Sequence, residues 1–150
     1  MTFPLLMFTV TKFIALGAWI LLFLSLFARG TRPVIWPLTQ YAVPALLSAC
    51  YVVMVWDGRN LLDLPTSFTQ LHGIAALYAH PGPLAASWLH FLALDLFVGT
   101  WIARDGAERG MPMLLILFCL PFAFILAPAG LLLYLGLRLL VRRRGDQKTA

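Results

Sequence analysis

The feature that most constrains this sequence is a long apolar stretch that contains two titratable side chains. Ala85 to Asp105 reads AASWLHFLALDLFVGTWIARD, with His90 and Asp95 inside it. As a helix rising about 1.5 Å per residue, it is long enough to cross a bilayer core of about 30 Å. An ionised side chain in that core costs several kcal/mol, so such residues face a bundle interior or a wet cavity. Asp95 is therefore the first candidate functional residue.

His90 and Asp95 are predicted to lie on different faces of this helix. They are separated by about 140° around the helix axis, because each residue advances by about 100°. Side chains so placed do not bond each other within one helix, so each needs a partner from another helix, from water or from a ligand. Gly99, one turn beyond Asp95, would let a second helix or a flat ligand approach the Asp95 face.

Composition indicates an integral membrane protein. Hydrophobic residues make up 61% of the chain and charged residues only 11%, and the mean hydropathy is +0.88. The formal net charge of +5 comes from basic residues at the ends of apolar segments and near the C-terminus, as topology signals do. We therefore expect membrane lipid as a partner and no nucleic acid.

The apolar segments predict an all-α, polytopic membrane protein in one domain over residues 1–150. Four transmembrane helices are expected, with a short interfacial helix between the second and third, from Thr66 to Tyr78, capped by Ser67. The predicted spans are residues 8–28, 34–56, 84–103 and 113–140.

Two further predictions concern packing. In the second span Pro44 should bend the helix. Gln40 and Tyr41 lie on the same helix and are its nearest polar candidates to line a cavity. The fourth span should pack directly on the third, with its Pro128 to Gly130 break near the Asp95 face. Small residues on the facing surfaces predict a close approach of Gly99 and Gly130.

Four spans would place both termini on one side of the membrane. Seven basic residues fall on that side and four on the other, which favours cytoplasmic termini. The seven are Lys12, Arg59, Arg138, Arg142, Arg143, Arg144 and Lys148; the four are Arg29, Arg32, Arg104 and Arg109. The start of the chain has no transit-peptide pattern, so we expect either a protein of the bacterial inner-membrane type or a plastid membrane protein whose targeting segment is already gone.

No metal site is predicted. Cys50 and Cys119 fall in apolar segments, and His72 and His80 supply too few ligands for a metal ion.

The third and fourth segments carry a resemblance to a known family. SWLHFLALDLFVGTWIARD, then Pro112, then APAGLLLYLGLR from Ala127 to Arg138 resemble the abscisic-acid-deficient-four-like membrane proteins, which include plant neoxanthin synthase. The most specific part is W-x-H-x-x-A-x-D-L-F-V-G. Thr100 departs from the family pattern, which usually has a second Arg after the Gly, and APAG departs from the more usual GPLG.

The resemblance implies an enzyme that acts on, or a protein that binds, a carotenoid or similar apolar isoprenoid. The plant enzyme is associated with turning violaxanthin, an epoxide, into an allenic alcohol, which is a redox-neutral isomerisation without a cofactor. Asp95 and His90 are then the candidate acid and base. The candidate substrate-binding residues are Trp88, Phe91, Phe97, Gly99, Trp101, Gln40 and Tyr41.

Two other classes of function stay open. The same residues fit a non-catalytic scaffold or accessory subunit of a pigment or lipid-enzyme complex, with a membrane-protein partner or a homo-oligomer. Asp95 and His90 would then tie helices together through hydrogen bonds. Proton transport ranks last, because one acid and one histidine are few groups for a relay through the membrane.

Overall fold

The computed structural model describes residues 2–61 and 69–146, and every regular element in those ranges is a helix. This confirms the all-α prediction. The α-helices are α1 (Phe3–Phe27), α2 (Arg32–Pro37), α3 (Val43–Asp57), α4 (Leu71–Tyr78), α5 (Pro81–Glu108), α6 (Met113–Ile125) and α7 (Ala127–Asp146). A π-helical turn, Leu38–Ala42, connects α2 to α3.

Helix α5 is the centre of the bundle, and α1 runs parallel to it. Near the start of both helices the rings of Phe8 and Trp88 lie 6.0 Å apart. Further along, the fully buried Trp19 covers Gly99 so closely that a Cβ there would overlap its ring. The second helix predicted to approach Gly99 is therefore α1.

The π turn and α3 run antiparallel to α5. Met54 near the end of α3 packs with Ala86 and Leu89 near the start of α5, and Thr39 in the π turn meets Thr100. The π turn comes just before Pro44, which has no N–H to donate to the carbonyl one turn earlier, so the helix widens there.

Within the described residues, three helices are long and apolar enough to cross a membrane: Phe3–Phe27, Arg29–Asp57 and Pro81–Glu108. Large apolar side chains are exposed along them, including Phe13, Leu24, Val34 and Val52. Such a surface suits lipid better than water. The prediction of four spans is not confirmed.

The fourth predicted span, residues 113–140, forms two helices in place of one kinked helix. The segment is divided at Leu126, whose extended backbone (φ −151°, ψ 95°) separates the 13-residue α6 from α7. Pro128 cannot donate the N–H that a continuous helix needs at this point. Gly130 lies directly against the backbone of Ala123, so the two helices fold back on each other.

Contacts with α5 fix the direction of this hairpin. Phe124 at the end of α6 stacks on Trp19, beside Gly99. Ile116 in α6 and Tyr134 in α7 both reach Gly106 near the end of α5. Helix α6 therefore runs back along α5 to its middle, and α7 returns to the same end.

The hairpin does not support the prediction that the two termini share one side. Arg138 contacts Asp105 at the end of α5, whereas the predicted topology placed Arg138 opposite Arg104 and Arg109. Phe3 and Asp146 belong to opposite ends of the bundle, because α1 starts at the Trp88 end of α5 and α7 finishes at the Asp105 end.

Two smaller predictions concern a pair of glycines and the helix before α5. Gly99 contacts α1 and Gly130 contacts α6, so the predicted pairing of these two glycines is wrong. A short helix is confirmed in the segment predicted to hold an interfacial helix, as α4 from Leu71 to Tyr78, while its predicted cap Ser67 lies outside the described residues.

Candidate functional site

A cavity of about 170 Å³ lies between α3, α4 and the first half of α5. Met54, Leu77 and Phe91 provide much of its apolar wall. Four side chains that carry polar groups also line it: Tyr51, Tyr78, Ser87 and His90. A small apolar cavity with a few convergent polar groups is the usual form of a small-molecule site. We call it the His90 cavity.

His90 is the residue of this cavity best suited to bind a ligand or transfer a proton. Its ring packs against Tyr51, with centroids 5.6 Å apart, and against Phe91 at 5.9 Å. Across the part of the chain that the structure describes, its ring nitrogens have no hydrogen-bond partner. The Ser87 hydroxyl, by contrast, donates to the Leu84 carbonyl at 2.8 Å. His90 is therefore available to a ligand.

Asp95 lies elsewhere, at the tip of the hairpin. It is half-buried, and its Oδ1 accepts a hydrogen bond from the Ala127 backbone N–H at 3.3 Å. That N–H is the first of α7 and has no partner within its own helix. A carboxylate at a helix N-terminus also interacts favourably with the helix dipole. The predicted closeness of Asp95 to the Pro128 to Gly130 break is confirmed.

Gln40 and Tyr41 line a second, open groove of about 340 Å³ together with Leu94 and Phe97. The π turn directs Gln40 inward, where only 5% of its surface is exposed. Arg104 Nη1 donates to Gln40 Oε1 at 2.6 Å and to the Tyr41 hydroxyl at 3.4 Å. This groove therefore has a polar end and an apolar wall.

The other predicted site residues are separated from both places. Trp88 packs on Phe8, and Trp101 stacks edge-on against Tyr134 at 5.5 Å. Of the predicted set, His90 and Phe91 share the cavity, and Phe97 shares the groove with the two residues of the π turn.

Asp105, the most connected acid in the described residues, was not among the predicted site residues. Asp105 Oδ2 accepts hydrogen bonds from Arg109 Nε at 2.7 Å, from Arg138 Nη1 at 3.2 Å and from the Tyr134 hydroxyl. The hydrogen bond to Asp105 raises the pKa of Arg109, which keeps this guanidinium charged.

A sequence signal for this network existed. Asp105 and Arg109 have the spacing of an ion pair on one helix, as do Tyr134 and Arg138 for neighbours on another. Tyr51 and Tyr78, which line the cavity, were also missed as site residues, although a phenol within an apolar segment needs a partner.

The fold and site together define a helical protein with three potential membrane spans and a small, mainly apolar cavity. A family model described as ABA DEFICIENT 4-like matches residues 6–134, and the chain belongs to this family. The resemblance stated from the third and fourth segments is confirmed.

One curated relative is similar to this chain over part of its length. The chain is 29% identical over 87 residues to "Protein ABA DEFICIENT 4, chloroplastic" of Arabidopsis thaliana. The match covers 53% of this chain and 40% of the relative. No solved structure matches the chain.

Proposed function

We propose that this protein binds an oxygenated carotenoid, or a similar apolar isoprenoid, and isomerises an epoxide at its end group in the His90 cavity. The observation that carries the proposal is a histidine without a hydrogen-bond partner in the described residues, in an apolar cavity that two tyrosines also line. Membership of the ABA DEFICIENT 4-like family supports the substrate class.

The size of the cavity limits what enters it. About 170 Å³ accommodates a cyclic end group and leaves the long polyene outside. Phe91, Leu94 and Phe97 follow at three-residue spacing along α5, are all exposed, and connect the cavity with the Gln40 and Tyr41 groove. We infer that the polyene lies along this strip, which we call the α5 strip, facing lipid on its other side.

The chemistry requires one acid and one base. A proton is delivered to the epoxide oxygen as its C–O bond breaks, and a C–H proton leaves the adjacent polyene as the allene forms. Electrons and atoms balance without an oxidant or a cofactor. Neutral His90 would accept the C–H proton, and the phenol of Tyr51 or Tyr78 would protonate the oxygen. Tyr51 already packs against His90.

Asp95 takes a positioning role in this proposal. Its carboxylate accepts the Ala127 N–H, and it is not among the side chains that line the cavity. We infer that it holds the hairpin against α5, while His90 transfers the proton.

The test uses cells that make violaxanthin together with this protein, followed by chromatographic pigment analysis. His90→Gln keeps a polar side chain but no basic imidazole, so conversion should fall by about 10²- to 10⁴-fold. His72→Gln is the matched control, because His72 is exposed on α4 and does not line the cavity. Equal conversion by His90→Gln and wild type would exclude His90 as the base.

A second candidate is binding without turnover, as in an accessory subunit of a pigment complex. It is favoured by the use of both aspartates of α5 in contacts between helices, Asp95 with Ala127 and Asp105 with Tyr134. In that case wild-type protein would co-purify with pigment and convert none. Phe91→Ala and His90→Gln would both reduce the amount of bound pigment.

We also propose an orientation in a bacterial inner membrane or a plastid membrane. Five arginines lie at the Glu108 end of α5, namely Arg29, Arg32, Arg104, Arg109 and Arg138, against Arg59 and Lys12 toward the other. The positive-inside rule then places the Glu108 end in the cytoplasm or stroma. Reporters fused after Gly110 and after Asp146 should report the same side. Opposite sides would mean that residues 113–140 cross the membrane.

A further inference from the structure

A pocket lined by three arginines lies at the Glu108 end of α5, away from the His90 cavity. Arg29, Arg32 and Arg104 line it, with Glu108 as the acid among its lining residues, and its volume is about 300 Å³. Three guanidinium groups against one carboxylate leave an excess of positive charge. An anion would therefore be attracted to this site, which we call the arginine pocket.

The wall of the pocket is fixed by contacts within the protein. Arg32 donates from Nε to the Ser25 carbonyl at 3.1 Å and from Nη2 to the Leu26 carbonyl at 2.8 Å. Its guanidinium lies 5.1 Å from the centre of the Trp36 ring, whose Nε1 donates to Ser25 Oγ at 3.0 Å. These contacts satisfy carbonyls at the end of α1 and hold one charge in place.

The two remaining arginines differ in how far the protein uses them. Arg104 bonds to Gln40 and approaches Glu108 at 3.9 Å. Arg29 is exposed, and its guanidinium makes no hydrogen bond or ion pair within residues 2–61 and 69–146. Of the three arginines in the pocket, Arg29 is therefore the most available to bind a ligand.

The surroundings of the pocket indicate which anion. It lies where a membrane-spanning α1 ends and α2 begins, at the depth of lipid headgroups. Pro33, Trp36 and Pro37 add apolar and aromatic walls, and tryptophan is enriched at this level of a membrane. Basic pockets between helices bind anionic headgroups. We propose that the arginine pocket binds the headgroup phosphate of an anionic phospholipid.

The protein contains its own matched control at the opposite end. Arg59 lies 4.8 Å from the centre of the Trp56 ring and donates to the Trp56 carbonyl at 2.8 Å. Arg32 likewise lies over a tryptophan ring and donates to backbone carbonyls. The groove beside Arg59 is lined by Tyr51, Val52 and Val55, and the described residues contribute no second arginine to it.

The experiment measures binding of phosphatidylglycerol, with phosphatidylcholine as the neutral comparison, to the full-length detergent-purified protein by native mass spectrometry. Arg29→Gln should weaken phosphatidylglycerol binding about fivefold, as expected for one basic side chain at a membrane surface. Arg59→Gln should leave it unchanged. Glu108→Gln removes the carboxylate and should strengthen binding by a similar factor, which a misfolded variant would not do.

Arg29→Lys keeps the charge and should retain binding within about twofold. Three outcomes would overturn the proposal. The first is an equal loss in Arg29→Gln and Arg59→Gln, the second is equal binding of the two lipids by wild type, and the third is displacement of the lipid by millimolar inorganic phosphate, which would indicate a site for free phosphate. None of these readouts depends on pigment conversion.

Discussion

Both halves of α5 carry polar residues, but they use them in different ways. In the first half His90 faces a cavity and has no hydrogen-bond partner among the described residues. In the second half the polar side chains bond to other elements: Asp95 to Ala127, Thr100 to Thr39, Arg104 to Gln40, and Asp105 to Tyr134 and Arg138. The first half therefore has a polar side chain that is available to a ligand, whereas the polar side chains of the second half hold the helices together.

The difference follows from the environment of a membrane helix. Polar groups away from water must be satisfied within the protein, and neighbouring helices are the available partners. The second half of α5 contacts both the π turn and the hairpin, so its polar groups find partners there. The first half meets the shorter α4, and a cavity is left between them.

The largest expected effect on stability comes from the hairpin that packs on the second half. In Gly130→Ala the new Cβ would overlap the backbone of Ala123, which cannot rotate away. We expect a loss of about 3 kcal/mol, the upper part of the range for overpacking. The measurement is unfolding of the purified protein in mixed micelles. Gly136→Ala is the control, because no atom of the described residues lies within 4 Å of its Cβ position. Equal losses in the two variants would contradict the close contact between Gly130 and Ala123.

The next effect concerns the Asp105 network. Asp105→Ala removes the acceptor shared by Tyr134, Arg109 and Arg138, so the unfolding free energy should fall by about 2 kcal/mol. Asp57→Ala, at an exposed acid at the end of α3, should change it by less than about 0.5 kcal/mol. If the two variants were equally stable, the second half of α5 would not have the structural role assigned to it.

A smaller effect is expected at Asp95, and it separates hydrogen bonding from charge. Asp95→Leu leaves the Ala127 N–H without its acceptor and should cost about 1 kcal/mol. Asp95→Asn keeps an acceptor oxygen and should stay within a few tenths of a kcal/mol, with pigment conversion retained. A stable Asp95→Asn protein without conversion would show that the titrating carboxyl is needed, as the sequence first suggested.

The smallest effect on stability should come from the first half of α5. His90→Gln breaks no hydrogen bond in the described structure, so the unfolding free energy should change by less than about 0.5 kcal/mol while conversion is lost. Thermal unfolding and pigment analysis on the same preparation test this. If His90→Gln lowered the unfolding free energy as much as Asp105→Ala does, the two halves of α5 would not differ in their contribution to stability.

Much of the fold was predictable because helical periodicity and hydropathy determine it. The sequence indicated an all-α chain organised around Ala85 to Asp105, and a break at Pro128 to Gly130 near Asp95, as observed. It did not distinguish a kink from a reversal. That distinction depends on the extended backbone of Leu126 and on the contact between Gly130 and Ala123, neither of which hydropathy encodes.

The site was predictable to the extent that one helix determines it. The angle between His90 and Asp95 indicated that they do not bond each other, and Asp95 bonds to Ala127 from another helix. The partner of Asp95 followed from the break in the fourth segment, but Asp105 was missed, because its bonds to Tyr134 and Arg138 require α7 to return to the same end. The cavity itself depends on α4, whose position no pattern in the sequence specifies.

The hairpin tip at Leu126 has a consequence for how the chain is assembled. Helix α6 has 13 residues, too few to cross a bilayer core. A tip halfway along α5 would place non-helical backbone at the depth of hydrocarbon, which is tolerated only when protein surrounds it. The acceptor for the Ala127 N–H is Asp95, which is synthesised earlier. The surface on which α6 and α7 dock is therefore complete only once α5 has formed, so we expect docking of the hairpin to be a late folding step.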